Sequence, residues 1–162
     1  MENTLIVLTT IGSLFFITGC SESSDTALVS QNKTKSSELG QQTNVSRWYT
    51  EQHVKNGDKH YQIHCASCHK VDASGTSEWS KKDADGNYPP PPLNGTAHTW
   101  HHHMGALRRT IRLGGVIFGG TMPGFEDKLN NQEIDEVLAW VQSHWSDRVY
   151  AAWQQKNIQA SK

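Results

Sequence analysis

The chain has 162 residues, enough for one domain. Its formal net charge of −1 implies no strongly basic or acidic partner, nucleic acid included. Only 35% of the residues are hydrophobic although six are Trp, so a domain of this size is short of aliphatic side chains to close a core, and a large flat apolar ligand would make up the deficit.

Residues 5–17 form an apolar run too short to span a bilayer comfortably, and it ends in Ile17-Thr18-Gly19-Cys20. This arrangement resembles a bacterial lipoprotein signal. The resemblance implies a signal peptide over 1–19, cleavage before Cys20 and acyl chains on Cys20, which accounts for the odd one of the three cysteines. Ser21, where Asp would be the alternative, resembles the pattern for sorting to the outer membrane. Met1-Glu2-Asn3 departs from the positive start usual for secretory signals. An ordinary secretory signal and a buried core segment are the competing readings. Residues 21–46 are rich in Ser, Thr, Gln and Asn without an apolar period, so 20–46 is expected to be a disordered tether that begins at a lipidated Cys20.

A folded domain is expected over 47–162, with its core over about 47–145 and a C-terminal extension. Trp48, Val54, Gly57, Tyr61 and Cys65 recur at helical spacing. Gly57, Tyr61 and Cys65 share one face. A glycine inside a helix costs about 1 kcal/mol against Ala, so Gly57 is expected to permit close contact with another element.

That helix runs into Cys65-Ala66-Ser67-Cys68-His69. Two cysteines three apart followed by histidine read as a c-type haem attachment site. Two thiols add to the two porphyrin vinyl groups, and the histidine supplies the proximal iron ligand. A zinc half-site would need a second Cys pair, which the sequence lacks. A thioredoxin-like dithiol would need a βαβ pattern around it.

Residues 70–97 show no period. Asp83-Ala84-Asp85-Gly86-Asn87 and the run Pro89 to Pro92 mark a loop with polyproline character, and Trp79, Tyr88 and Trp100 are candidates to cover a haem edge. A helix is expected over 98–113 with Met104, Leu107 and Ile111 on its apolar side, ended by Gly114-Gly115. If helical, His98, His101 and His102 fall on one face at i, i+3 and i+4. Paired imidazoles at that spacing chelate transition metals, and Met104 nearby would suit copper. The competing readings are a polar helix start, or one of these histidines as the axial ligand of a haem.

Pro123 and the surrounding glycines make a rigid loop that presents Met122. Its thioether is a soft ligand suited to haem iron, against the plainer role of gap filler in a core. A last clear helix begins at Asn130 with Glu133 closing a capping box. Ile134, Val137, Leu138, Val141 and Trp145 form its apolar stripe, Trp140 borders it, and it is expected to cross the first helix at Gly57. Residues 146–162 are expected to add a short packed extension.

Taken in order, Gly57 and Tyr61, Cys65-Ala66-Ser67-Cys68-His69, Pro91-Pro92-Leu93-Asn94-Gly95, Met122-Pro123-Gly124-Phe125 and the terminal helix with Trp140 resemble a class I cytochrome c, over about 47–145. The resemblance implies an all-α fold, several short helices around one covalently bound haem c. It implies thioether links at Cys65 and Cys68, with His69 and Met122 as axial ligands. It also implies that the Pro91 carbonyl, or Pro92 in its place, accepts from His69, and that Leu93 packs on the haem face. The long polar loop before the prolines and the histidine-rich segment after them depart from the pattern.

The expected activity is therefore single-electron transfer without catalysis, by a periplasm-facing cytochrome tethered to a bacterial envelope membrane. Its partners would be a respiratory complex, a terminal oxidase or a periplasmic reductase. The alternatives are a haem subunit of a periplasmic oxidoreductase, or a copper-handling lipoprotein that uses the His98–Met104 segment.

Overall fold

The computed structural model describes residues 45–160; the expected signal peptide, Cys20 and nearly all of the expected tether lie outside them. The described residues form five α-helices: α1 (Glu51–His64), α2 (Ala66–His69), α3 (Met104–Leu113), α4 (Asn131–Ser143) and α5 (Asp147–Gln159). Two 3₁₀ turns lie at His98–His101 and Val116–Phe118. Among the described residues no strand forms, and Tyr88 and Gly120 share an isolated bridge. The fold is all-α.

Each long helix starts where its sequence satisfies the free N–H groups of a first turn. Thr50 Oγ1 accepts from His53 N at 3.4 Å while His53 Nδ1 accepts from Thr50 N at 3.1 Å, an unusual capping box with His at the third position. Trp48 therefore lies before α1 and not on it. At α4, Asn130 Oδ1 accepts from Glu133 N at 3.0 Å and Glu133 Oε2 accepts from Asn130 N at 2.8 Å. Ser146 caps α5 through Val149 N.

The centre of the fold is the crossing of α1 on α4. A Cβ placed on Gly57 would lie 1.8 Å from the Glu136 carbonyl oxygen, so only hydrogen fits between the two backbones. One turn further along α1, the Tyr61 ring stacks on Trp140 with centroids 3.9 Å apart. Ile134, Val137, Leu138, Val141 and Trp145 are all buried beside this contact, each worth about 1.5–3 kcal/mol when removed from water. The Glu136 side chain is buried at the same crossing. Asn56 Nδ2 donates to its Oε1 at 3.0 Å and Gln132 Nε2 at 3.1 Å. Burial opposes its charge, but these donors and the neighbouring His60 and His53 outweigh it and hold the carboxyl below the usual range.

Two expectations need correction. The helix expected over 98–113 is divided: a 3₁₀ turn at His98–His101, extended backbone at His102 (φ −97°, ψ 135°), then α3 from Met104. The break is held from outside, because Trp153 Nε1 donates to His102 O at 2.9 Å and Met104 N donates to Asn157 Oδ1 at 2.9 Å. Both partners belong to α5, which is the second correction. The expected short extension is a 13-residue helix whose Tyr150 and Trp153 are part of the core.

Because the Gly57 contact is backbone against backbone, it has no flexible side chain to give way. Gly57→Ala should lower stability by about 1–3 kcal/mol in urea denaturation despite the better helix propensity of Ala; a gain in stability would show that the helices can part at no cost.

Candidate haem site

The pentapeptide folds as one further turn at the end of α1. Cys65 N donates to Tyr61 O at 2.8 Å, and Cys65 O accepts from Cys68 N at 3.1 Å and His69 N at 2.9 Å. The turn leaves Cys65 half-buried, Cys68 exposed and His69 6% exposed. Lys70 then takes φ 64°, which ends the helix, and its carbonyl accepts from the Tyr61 hydroxyl at 2.9 Å. The tyrosine that packs the helix crossing thus also fixes the exit from the motif.

His69 Nδ1 lies 2.9 Å from the Pro91 carbonyl oxygen. A carbonyl only accepts, so Nδ1 carries the proton and Nε2 is left as the unprotonated nitrogen. Burial pushes the His69 pKa down, and the Pro91 bond opposes that only in part, so the ring is held neutral. The loop between the two is drawn tight: Gly75 N donates to His69 O at 3.0 Å, and Leu93 N donates to Ala73 O at 2.8 Å. Gly75 has φ +56°, and a Cβ there would lie 2.4 Å from the Pro91 carbonyl carbon. Leu93 is half-buried against the core, with its own carbonyl taken by Trp145 Nε1 at 2.7 Å.

The Met122 loop is bonded onto the end of α3. Phe125 N donates to Ile111 O and Arg112 O at 3.0 Å each, and Gly115 N donates to Met122 O at 2.9 Å. Gly114, with φ +84°, lets this carbonyl approach. Met122 is half-buried and packs against the core.

The two thiols are not joined to each other. Burial, and secondarily the nearby Cys68, push the Cys65 thiol up to about 11. Reactive dithiols have depressed values, so the environment does not favour thioredoxin-like chemistry. No group of three or more His, Cys, Asp or Glu side chains among the described residues is placed to hold a metal ion. The His98 and His102 rings lie 5.2 Å apart, but His98, His101 and His102 do not share a helical face, because the helix is interrupted at His102. His98 instead stacks on Trp79 with centroids 4.7 Å apart, and His101 lies against Trp100 at 3.8 Å. Thr99, between them, went unnoticed in the sequence, as did Gly75 and the Trp145 indole; only Gly75, six residues after His69 in a Ser-Gly-Thr turn, carried a local signal.

What remains is an unprotonated imidazole nitrogen, a thioether and two thiols. Both segments that carry them also expose apolar side chains, Val71 after His69 and Val116, Ile117 and Phe118 before Met122, the last two at 71% and 60%. This donor set, with exposed apolar side chains on both segments, fits a haem held through two cysteines.

Fold and site together define a c-type cytochrome domain. The sequence model of the family described as "Cytochrome C oxidase, cbb3-type, subunit III" matches residues 52–141, more than half of the 162-residue chain, and the chain belongs to that family. It is accordingly a protein that carries electrons on covalently bound haem c, as a carrier or as an oxidase subunit. No curated protein and no solved structure matches the chain.

The fit of Gly75 under Pro91 has a direct consequence. Gly75→Ala places a methyl group into backbone at a φ that L-residues avoid, and should cost more than about 1 kcal/mol in urea denaturation, with a lower yield of haem-loaded protein by pyridine haemochrome spectroscopy. Wild-type values for both would mean that the 69–75 loop does not hold Pro91.

Proposed function

We propose that this chain is a membrane-tethered electron carrier of the bacterial periplasm, with one haem c joined through Cys65 and Cys68 and ligated by His69 and Met122. The observation that carries the reading is the bond from Nδ1–H of the buried His69 to Pro91 O, directly after the turn that carries the two thiols. It fixes the ring and its tautomer, and it directs Nε2 away from the protein's own hydrogen bonds. When bound, haem c supplies the one-electron ferric/ferrous couple. Burial keeps His69 neutral, as a ligand nitrogen must be. Met122 adds a soft donor on a loop braced by α3, and thioether ligation favours the ferrous state. Leu93 offers an apolar side chain for the haem face.

In this reading Cys20 bears the lipid and residues 20–46 let the domain range above the membrane surface, the outer membrane by the Ser21 pattern. Redox encounters of this kind use small interfaces, so a respiratory complex, an oxidase or a periplasmic reductase can each serve as partner. The family description favours a second reading, in which the domain is a haem subunit that feeds electrons to an oxidase. Co-purification of a stoichiometric oxidase from solubilised membranes would select that reading; a domain that exchanges freely would select the carrier.

Intact-mass analysis of protein matured in a bacterial envelope should show the mass of one haem added to the chain. Met122→Ala should keep that mass, admit carbon monoxide at neutral pH and lower the reduction potential. An unchanged potential would remove Met122 from the iron, and carbon monoxide binding by the wild type would favour an enzyme over a carrier. Cys20→Ser should move the protein from the membrane fraction to the soluble periplasm with its visible spectrum unchanged; retention on the membrane would refute the lipid anchor.

A further inference from the structure

Pro89 to Pro92 have no backbone N–H, so this stretch accepts hydrogen bonds and donates none. From Pro90 onward its carbonyls are taken one after another by four different parts of the chain. Pro90 O accepts from Thr76 N at 2.9 Å. Pro91 O accepts from His69 Nδ1 at 2.9 Å. Pro92 O accepts from the Thr99 hydroxyl at 3.1 Å, and Leu93 O accepts from the Trp145 indole at 2.7 Å. The Thr99 bond is buried, and Thr99 itself is 8% exposed.

We propose that Thr99 is a positioning residue for His69. Its hydroxyl anchors the Pro92 carbonyl and thereby sets the Pro91 carbonyl against the imidazole. The coupling is mechanical. The pyrrolidine ring of Pro92 fixes φ near −65°, which leaves ψ of Pro92 as the one soft torsion between the two carbonyls, and the Thr99 bond to Pro92 O restrains it. Gly75 packs so closely on the Pro91–Pro92 peptide that a Cβ there would lie 2.5 Å from Pro91 O. With the Pro92 carbonyl held by Thr99 and the Pro91–Pro92 peptide bounded by Gly75, the Pro91 carbonyl has little freedom except to meet Nδ1–H. The strength of that bond sets how much electron density Nε2 offers a metal. Thr99 touches neither ligand, yet it governs the basicity of one of them.

The proposal rests on the haem reading above, and the test separates the two. In the holoprotein matured in the bacterial envelope, Thr99→Val removes the hydroxyl and leaves Pro92 O unpaired. At a fixed ambient potential the ferrous-to-ferric ratio should rise about threefold, the size expected when one hydrogen bond weakens. The ferrous-state proton resonance of His69 Nδ1–H should move upfield. Thr99→Ser, which keeps the hydroxyl, should restore both. Thr96→Val is the control: the Thr96 hydroxyl bonds Asn94 Oδ1 at 2.6 Å on the surface, and neither readout should move. Should Thr99→Val fail to accumulate, Thr99→Cys, with its weaker S–H donor, must give a smaller shift of the same sign.

A Thr99 variant that melts earlier but keeps the wild-type ratio and resonance overturns the positioning role. An equal shift in Thr96→Val overturns it as well. A wild type without covalent haem removes the haem reading and this inference together, whereas haem with an unmoved ratio removes only the inference.

Discussion

The contact of the Gly57 backbone with the Glu136 carbonyl is the constraint from which the site follows. It brings α1 close enough to α4 for the Tyr61 ring to pack on Trp140 at a tilt of 31°. That stacking aims the Tyr61 hydroxyl at Lys70 O, the first carbonyl after the motif. Burial raises the Tyr61 pKa well above its ordinary value, so the phenol remains a donor at any physiological pH. With the exit from the motif fixed, the next residues turn back at Ala73 and Gly75 and reach Leu93 and Pro91. A helix crossing is thus converted, contact by contact, into the orientation of one imidazole.

The same geometry explains why the centre suits electron transfer better than acid-base or thiol chemistry. A general base needs a pKa near the working pH and an open path to a proton. His69 is buried, its pKa is depressed, and Nδ1–H is bonded to a carbonyl. A nucleophilic thiol needs a depressed pKa, and Cys65 has a raised one. These are groups made to bind and hold still. Low polarity around a fixed ligand keeps reorganisation small when one electron arrives or leaves.

Local features were legible in the sequence, and features set by distant partners were not. The Asn130–Glu133 capping box, the stripe from Ile134 to Val141 and the role of Gly57 are written in spacings of three and four residues, and the structure shows them, while Trp145, expected on the same stripe, is buried just beyond the end of α4. The division of the 98–113 segment has no local cause: no proline or glycine occurs between His98 and Met104. It comes from α5, through Trp153 and Asn157. α5 itself was underestimated because only Tyr150 and Trp153 are buried on it, too narrow an apolar face to announce a 13-residue helix. Those two errors therefore have one origin. The register of the proline run is a similar case. Four identical residues give no local reason to prefer Pro91; the choice is made where Pro92 O is already occupied by Thr99.

α5 also fixes where the chain joins the domain. Arg47 Nη2 lies 2.6 Å from Asp147 Oδ1 and its guanidinium sits 4.0 Å over the Tyr150 ring. Trp48 N donates to the Tyr150 hydroxyl at 3.1 Å, and the Trp48 indole donates to Gln142 Oε1 at 2.7 Å. The exposed ion pair alone is worth little, but the partly buried indole bond and the cation–π contact together restrain Arg47 and Trp48. The segment before α1 is thereby pinned to the corner between α4 and α5. From that corner α1 runs 14 residues, about 21 Å, before it reaches the cysteines. The pinned entry to the domain and the haem-binding motif thus lie at opposite ends of one helix, and the contacts that hold the first place no demand on the second.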